Sequence, residues 1–180
     1  MKQLFLCTVL FICSVNYLNA QESTNPPKSS IDFGLRFGNS FYDIRSNGNV
    51  ISDFNLYVGA FAEKSLSEKW ALRIETNYSG SSVMQFPILL KYKFNNKFEI
   101  YGGPQLDFSF EQKNTLEELR NKRFGASLVF GAQYNISTKW FIEARYIYGL
   151  SNQYPIFNGS GIESTFTNKQ SFNFGIGYKF

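Results

Sequence analysis

Ionisable side chains recur on one face of the alternating segments of this chain, and their chemistry has to be explained first. Nine of them share that polar face: Arg36, Arg73, Glu75, Lys91, Lys93, Glu99, Asp107, Glu143 and Arg145. Paired carboxylates among them could carry general acid–base chemistry. Each carboxylate, however, has a basic residue nearby in the sequence or across a short connection. We therefore predict that the nine side chains neutralise one another in a structural charge network.

The residue inventory excludes the most familiar catalytic centres. The chain has no histidine, which removes Ser-His-Asp hydrolysis, histidine-dependent acyl transfer and the commonest metal ligand. Both cysteines, Cys7 and Cys13, lie within the first twenty residues, and no glycine-rich phosphate loop occurs. The sequence thus predicts no enzymatic activity, no cofactor and no metal site.

Period-two alternation of apolar and polar residues positions these side chains. It runs through eight segments, at residues 31–38, 54–63, 70–78, 84–94, 98–110, 124–134, 140–151 and 170–180. Such segments, with one apolar and one polar face, are typical of β-strands. Connections are short after the second, fourth and sixth segments and long, at residues 39–53, 111–123 and 152–169, after the first, fifth and seventh. This rhythm predicts an all-β fold, an eight-stranded antiparallel up-and-down transmembrane β-barrel over residues 31–180.

The distribution of charged, aromatic and glycine residues indicates which face of the barrel meets lipid. No charged residue occupies the apolar parity of any segment, and Trp and Tyr gather at segment ends, which suits headgroup depth in a bilayer. Glycines on the polar face would leave room for long side chains inside a narrow tube. Counting across the short turns predicts three facing pairs: Lys93 with Glu99, Gly59 with Arg73, and Gly131 with Glu143. We expect the apolar face to point outward into lipid.

Two prolines interrupt the alternating pattern. Pro87 and Pro104 lie in neighbouring segments, almost opposite one another, and proline cannot donate a hydrogen bond to a strand ladder. We predict a shared bulge or kink at this point. The alternative is that the sheet opens there and leaves a seam.

Both ends of the chain carry features of an exported protein. Residues 1–20 have the basic start, the short apolar stretch and the small final residues of a cleaved secretory signal peptide. A polar leader at residues 21–30 would then precede the barrel in the periplasm. The last strand ends on Tyr178 and Phe180, which resembles the terminal signature by which bacterial outer-membrane barrels are recognised for insertion. We expect the cell outer membrane as the location and its insertion machinery as a partner.

Three sequence blocks carry a resemblance to a known family. They are FPILLKYKF at residues 86–94, FEIYGGPQLDF at residues 98–108 and FIEARYIYGLSN at residues 141–152. The blocks resemble the PorT-like outer-membrane β-barrel family of Bacteroidota, an outer membrane protein beta-barrel domain. The resemblance implies an eight-stranded outer-membrane barrel. One founding member of the family assists the type nine secretion and gliding apparatus, but most relatives have no assigned activity, so location and fold are implied more strongly than a secretion role.

These features favour a structural function. We predict a monomeric barrel with a plugged, charge-paired lumen that is structural or accessory to an envelope or secretion machine. Its expected partners are outer-membrane lipid, lipopolysaccharide and secretion-apparatus proteins, while a net charge of +4 gives no indication of nucleic acid.

Three alternatives stay open. The first is a ligand- or partner-binding module that uses extracellular loops at residues 39–53 and 152–169. The second is a soluble lipocalin-like carrier whose cavity is lined by Phe33, Leu72 and Ile142. The third is a small pore, which the number of strands disfavours.

Overall fold

The structure is a computed structural model of the whole chain. It describes residues 31–46, 49–80, 82–110, 123–152, 154–156 and 165–180. The predicted signal peptide (1–20) and leader (21–30), and nearly all of the connection at 111–123, lie outside these residues. Among the residues described, no helix is long and apolar enough to cross a membrane.

Eight of the ten strands in the described residues close into one antiparallel barrel. The strands are β1 (Ile31–Ser46), β2 (Asn49–Ser65), β3 (Trp70–Ser79), β4 (Val83–Lys93), β5 (Phe98–Ser109), β6 (Phe124–Asn135), β7 (Trp140–Gly149), β8 (Tyr154–Ile156), β9 (Thr165–Thr167) and β10 (Lys169–Lys179). Around the barrel the order is β1, β10, β7, β6, β5, β4, β3 and β2, and β2 closes on β1. The predicted closed, eight-stranded, all-β antiparallel barrel is confirmed. β8 and β9 pair with each other as a separate short hairpin.

The two ends of the barrel differ in their connections. Tight turns at residues 66–69, 94–97 and 136–139 lie at one end, which we call the turn end. Phe180 also lies there, because its backbone N–H donates to the carbonyl of Phe33 near the start of β1 (3.0 Å). The opposite end, where the longer connections emerge, is called the loop end.

The first hairpin is longer than the sequence predicts. Residues 39–46 and 49–53, expected to lie in a loop, belong to β1 and β2, which remain paired as far as Ser46 opposite Asn49. That register leaves only Asn47 and Gly48 between the strands, a dipeptide typical of two-residue hairpin connections. The connection at 152–169 is likewise not a plain loop, since it contains β8 and β9.

The two prolines leave the strand register unchanged. On β4 and β5, Pro87 pairs with Gln105 and Leu90 pairs with Gly102, so no extra residue is inserted between these pairs and the predicted bulge is wrong. The kink, the other form of this prediction, stays a prediction. The two intervening pairs are missing from the β4–β5 ladder, and the two pairs that would join Phe86 and Pro87 to β3 are missing from the β3–β4 ladder. The barrel is closed around this point, and therefore the alternative of an open seam is also wrong.

The polar faces of the strands point inward and the apolar faces point outward. The side chains of Arg73 and Lys91 are fully buried, whereas Phe33 is 57% exposed and Ile142 is 46% exposed on the outer wall. This arrangement contradicts the lipocalin-like alternative, which required Phe33 and Ile142 to line an inner cavity. A wall of exposed apolar side chains around a polar interior is the pattern that a hydrocarbon surrounding favours.

Candidate functional site: the charged interior

Glycines on the inner wall make room for aromatic rings. A Cβ at Gly34 would overlap the ring of Phe61, one at Gly131 would overlap that of Tyr101, and one at Gly177 would overlap that of Phe141. Three further glycines have related neighbours: Gly38 and Gly175 lie against the Tyr57 hydroxyl, and Gly59 against the side-chain oxygen of Asn77. The prediction that the glycines accommodate long charged chains is therefore wrong in its choice of partner. Aromatic rings fill most of the space beside these glycines, and the same rings pack against the charged side chains.

Two of the three predicted facing pairs are also wrong. Arg73 pairs with Glu63 rather than Gly59, and Glu143 pairs with Gln133 rather than Gly131. The reason is that β2 and β6 run further towards the turn end than the alternation indicated, which shifts the register.

The third facing pair keeps its predicted register without forming an ion pair. Lys93 does lie opposite Glu99 on the neighbouring strand. The Lys93 ammonium nevertheless donates to Ser65 Oγ (3.4 Å). Glu99 forms its ion pair with Lys91 instead.

Two arginines and two glutamates form the centre of the interior. Glu75 Oε2 contacts Nη1 of Arg36 at 2.5 Å and Nη1 of Arg145 at 2.9 Å. Glu143 pairs with the same two guanidinium groups, at 2.8 Å from Arg145 Nη2. β3, which carries Glu75, and β7, which carries Arg145, are four strands apart in either direction around the eight-stranded barrel. Their salt bridge therefore spans the full width of the interior.

A second group of charges lies nearer the turn end. Glu63 Oε2 accepts from Arg73 and from Lys91 (2.8 Å), and its other oxygen lies 3.4 Å from Lys179 Nζ. Gln133 Oε1 also accepts from Arg73 (3.0 Å) and Lys91 (3.1 Å). Arg73 connects this group to the centre, because its Nη1 lies 3.8 Å from Glu75 and 3.9 Å from Glu143.

Aromatic rings pack against the arginines and complete the hydrogen bonding of Glu143. The Arg73 guanidinium lies 4.3 Å from the ring centre of Phe61 and 5.1 Å from that of Phe141, within the range of cation–π attraction. The hydroxyl groups of Tyr57 and Tyr101 donate to Glu143 at 3.4 Å and 3.0 Å. Buried charges are tolerated only when paired and hydrogen-bonded in this way.

The interior towards the loop end is largely uncharged. On β4, β6 and β7, the next inward-facing residues towards the loop end after Lys91, Gly131 and Arg145 are apolar. They are Leu89, Val129 and Ile147, and they pack together with Tyr101. Beyond them, Asp107 accepts hydrogen bonds from Gln105 Nε2 (2.7 Å) and from the hydroxyl of Ser127. A polar cavity of about 10 Å³ beside Asp107 and Ser127 has room for about one water molecule.

The structure brings seven of the nine predicted residues into one connected cluster and leaves two outside it. The seven are Arg36, Arg73, Glu75, Lys91, Glu99, Glu143 and Arg145. Among the described residues, Lys93 and Asp107 form no ion pair with this cluster; they make the separate hydrogen bonds described above. Sequence reasoning missed Glu63, although its place on the polar parity of β2, opposite Arg73, was a usable signal. We call the seven residues together with Glu63 the interior cluster.

The two residues of the predicted insertion signature lie on the outer wall at the turn end. The Tyr178 ring lies 4.8 Å from that of Trp140 and 5.8 Å from that of Phe180, between ring centres. Their role in insertion stays a prediction.

The interior cluster has the geometry of a structural element. The carboxylates of Glu63, Glu75, Glu99 and Glu143 each contact at least one Lys or Arg. In the described part of the chain, no group of three acidic, His or Cys side chains is arranged to hold a metal ion. The prediction that the chain has no enzymatic activity stays a prediction.

Comparison with known proteins agrees with this architecture. Residues 80–154 match the family described as outer membrane protein beta-barrel domain, and this range includes all three blocks identified in the sequence. None of the curated proteins compared with the chain matches it.

Several solved structures share the fold. The attachment invasion locus protein Ail of Yersinia pestis, solved with the heparin analogue sucrose octasulfate, is 14% identical, with 84% of this chain and 99% of that chain covered and a TM-score of 0.52. The N-terminal β-barrel domain of Pseudomonas aeruginosa OprF is 14% identical, with 84% and 98% covered and a TM-score of 0.52. Neisserial surface protein A is 11% identical, with 83% and 97% covered and a TM-score of 0.50. At these identities the solved structures show a likeness of fold alone, and it is the matched family model, over residues 80–154, that points to an outer-membrane location.

Proposed function

We propose that this chain is a monomeric outer-membrane β-barrel, exported through a cleaved signal peptide at residues 1–20, whose lumen is plugged by the interior cluster. The observation that carries the proposal is the salt bridge between Glu75 and Arg145, which joins opposite sides of the barrel at 2.9 Å. A side-chain bridge across the full width, with the rings of Phe61 and Phe141 packed against Arg73 beside it, supports an obstructed axis at that level. The cluster is completed within a single chain, which supports a monomer.

The test of the plugged lumen is ion conductance. Purified protein inserted into a planar bilayer is expected to give no steady current steps, because the buried ion pairs block the axis. The double variant Glu75→Ser with Arg145→Ser removes both ends of the bridge and should raise the frequency of conducting events if it folds. Uniform, stable conductance steps from the unmodified protein would overturn the proposal.

Membrane residence is tested separately by fractionation. The chain should stay in the outer-membrane fraction after carbonate extraction and should run as a compact, heat-modifiable band on a gel. Recovery in the soluble fraction would contradict an integral location, whatever the conductance result.

The proposed role is structural, or accessory to an envelope or secretion machine of the PorT-like kind. Support comes from the three sequence blocks, all of which lie in the matched residues 80–154. Co-purification from native membranes after mild crosslinking should recover components of such a machine, and deletion of the gene should reduce secretion or gliding. Normal secretion and gliding in the deletion strain, with no crosslinked partner, would limit the role to a structural one.

Binding at the loop end is a second candidate, and the length of the first hairpin favours it. β1 and β2 have 16 and 17 residues, whereas β3 and β7 have 10. β2 pairs with β3 only from Tyr57 onward, so its residues 49–56 extend past the end of β3. Such a projection would offer extracellular partners or lipopolysaccharide a contact surface.

Shortening the hairpin tests this second candidate. Tyr42 faces Asp53, so deleting residues 44–51 and joining the strands by Asn-Gly preserves the register below. Loss of a co-purifying partner from a variant that still folds would support binding. An unchanged set of partners would contradict it.

A further inference from the structure

The three tight turns repeat one arrangement that closure of the barrel does not require. Each turn ends in a lysine, and an aromatic residue follows at once as the first residue of the next strand: Lys69 with Trp70, Lys97 with Phe98, and Lys139 with Trp140. All six residues are exposed. The turns therefore place a cation beside an aromatic ring at three points around one rim.

The same hydrogen-bonding device fixes all three turns. A side-chain oxygen early in each turn accepts the backbone N–H of the aromatic residue: Ser67 Oγ from Trp70 (3.1 Å), Asn95 Oδ1 from Phe98 (2.8 Å) and Ser137 Oγ from Trp140 (3.0 Å). Such local side-chain bonds hold a turn in one conformation. Each lysine is thus presented from a fixed backbone rather than from a long loop.

The aromatic residues of the turns continue into a belt on the outer wall. The ring of Trp70 lies 4.9 Å from that of Tyr92, and the ring of Trp140 lies 4.8 Å from that of Tyr178. The Lys139 ammonium lies against the same belt, 3.3 Å from the Tyr178 hydroxyl and 5.5 Å from its ring centre. Lys139 therefore lies along the wall that faces lipid, not over the opening of the barrel.

The charged residues of the three turns are mostly basic. Beside their three lysines, the turns at residues 66–69, 94–97 and 136–139 contain a single acidic residue, Glu68. Tyrosine and tryptophan favour the headgroup depth of a bilayer, and lysines near that depth extend their ammonium groups to the phosphates. Each lysine near an anionic lipid surface increases the affinity for that surface about fivefold.

On these observations we infer that the turn end is an interaction surface for anionic phospholipids, with Lys69, Lys97 and Lys139 contacting headgroup phosphates and the neighbouring rings lying at the acyl boundary. The inference rests on the proposed function, because it needs a barrel that spans the membrane. It adds a lipid class and an orientation: the turn end lies in a leaflet that contains acidic phospholipids.

Tryptophan fluorescence can test this surface directly. The chain has two tryptophans, Trp70 and Trp140, and both stand beside a turn lysine. The protein is folded into phosphatidylcholine vesicles that contain increasing fractions of brominated phosphatidylglycerol or, in parallel, brominated phosphatidylcholine. Bromine quenches nearby tryptophans, so the two quenching curves give the relative affinity of the belt for the two lipids. We expect phosphatidylglycerol to be preferred by about two- to fivefold at low salt, and the preference to fall when screening is increased to 1 M salt.

Three variants make the measurement specific. The triple variant Lys69→Gln, Lys97→Gln and Lys139→Gln should quench equally with both lipids, whereas Lys→Arg at the same three positions should keep the preference. A charge-matched control, Lys113→Gln with Arg120→Gln and Lys122→Gln, removes three positive charges from the predicted loop at residues 111–123. This control should also keep the preference.

The outcomes separate this inference from the proposed function. An inserted, heat-modifiable barrel with equal quenching by both lipids would overturn the lipid surface and leave the membrane barrel standing. The same would hold if the Lys→Gln variant retained the full preference. Failure of the unmodified chain to insert at all would instead overturn the proposed function.

Discussion

The two halves of the barrel interior stabilise their buried polar groups in different ways. Towards the turn end, buried arginines, lysines and glutamates form salt bridges with one another in a cluster that crosses the barrel from Glu75 to Arg145. Towards the loop end, amides and hydroxyls surround one buried acid, Asp107, and no salt bridge to it is formed among the residues described. In the half towards the turn end, a charged side chain such as Glu75 contacts partners on several strands. In the half towards the loop end, Asp107 makes hydrogen bonds to residues on its own strand and the neighbouring one. The same chemical change should therefore lower the free energy of unfolding by different amounts in the two halves.

The largest effect is expected from Glu75→Gln. The change keeps the shape of the side chain but leaves the guanidinium groups of Arg36 and Arg145 with one carboxylate between them. Breaking a buried ion pair by removing one partner costs about 3–5 kcal/mol. The free energy of unfolding, measured by urea titration in lipid vesicles, should fall by that amount. A fall of less than 1 kcal/mol would mean that the cluster does not hold the barrel together.

A smaller loss is expected when a ring is displaced from its glycine. In Gly131→Ala the new methyl group would overlap the Tyr101 ring, whose hydroxyl donates to Glu143. Overpacking of this kind costs about 1–3 kcal/mol. Gly80→Ala is the control, because its nearest neighbour would be 3.4 Å away, and its unfolding midpoint should be nearly unchanged. Equal stability of the two variants would contradict the role given to the rings.

Asp107→Asn applies the change made at Glu75 to the other half of the interior. The amide oxygen can still accept one of the two hydrogen bonds from Gln105 and Ser127, so we expect a loss of about 1 kcal/mol. The ratio between the effects at Glu75 and Asp107 measures how far the two halves differ. If Asp107→Asn destabilised the barrel as much as Glu75→Gln, the contrast between the halves would be lost.

Lys93→Gln should have the smallest effect. Lys93 was predicted to belong to the charge network, but its ammonium makes a hydrogen bond of 3.4 Å to Ser65 and lies outside the interior cluster. The change in unfolding free energy is expected to stay within about 0.5 kcal/mol. Lys91→Gln, one inward-facing position away on the same strand, should be far more damaging because Lys91 contacts both Glu63 and Glu99.

The periodicity of the sequence was sufficient for the closed barrel and for the direction of each face. The alternation shows directly which face of a strand each residue occupies. It therefore assigned residues such as Arg36 and Glu143 to the inside without any knowledge of their partners. It could not determine register. An error in the end of β2 moved Arg73 from Glu63 to Gly59, and an error in the end of β6 moved Glu143 from Gln133 to Gly131. A shift by an even number of residues keeps every side chain on its face while changing every partner.

The glycine partners were also beyond the sequence. Which ring leans over Gly34, Gly131 or Gly177 depends on the stagger between strands, and this is set by closure of the whole sheet. The extension of β1 and β2, in contrast, could have been predicted. Asn47-Gly48 is a strong hairpin signal, and counting outward from it pairs Ser46 with Asn49 as the structure does.

The orientation of the two faces in a membrane is the central claim, and a nitroxide scan of β5 tests it most directly. Both cysteines lie in residues 1–20, so the chain from residue 21 is free of cysteine, and each residue of β5 can be replaced by a labelled cysteine in turn. In vesicles, oxygen should reach labels at even positions such as Ile100 and Leu106, while labels at Glu99 and Gln105 should be immobile and shielded. Maximal oxygen accessibility at the odd positions, or no alternation, would contradict a lipid-facing apolar wall around a charged interior.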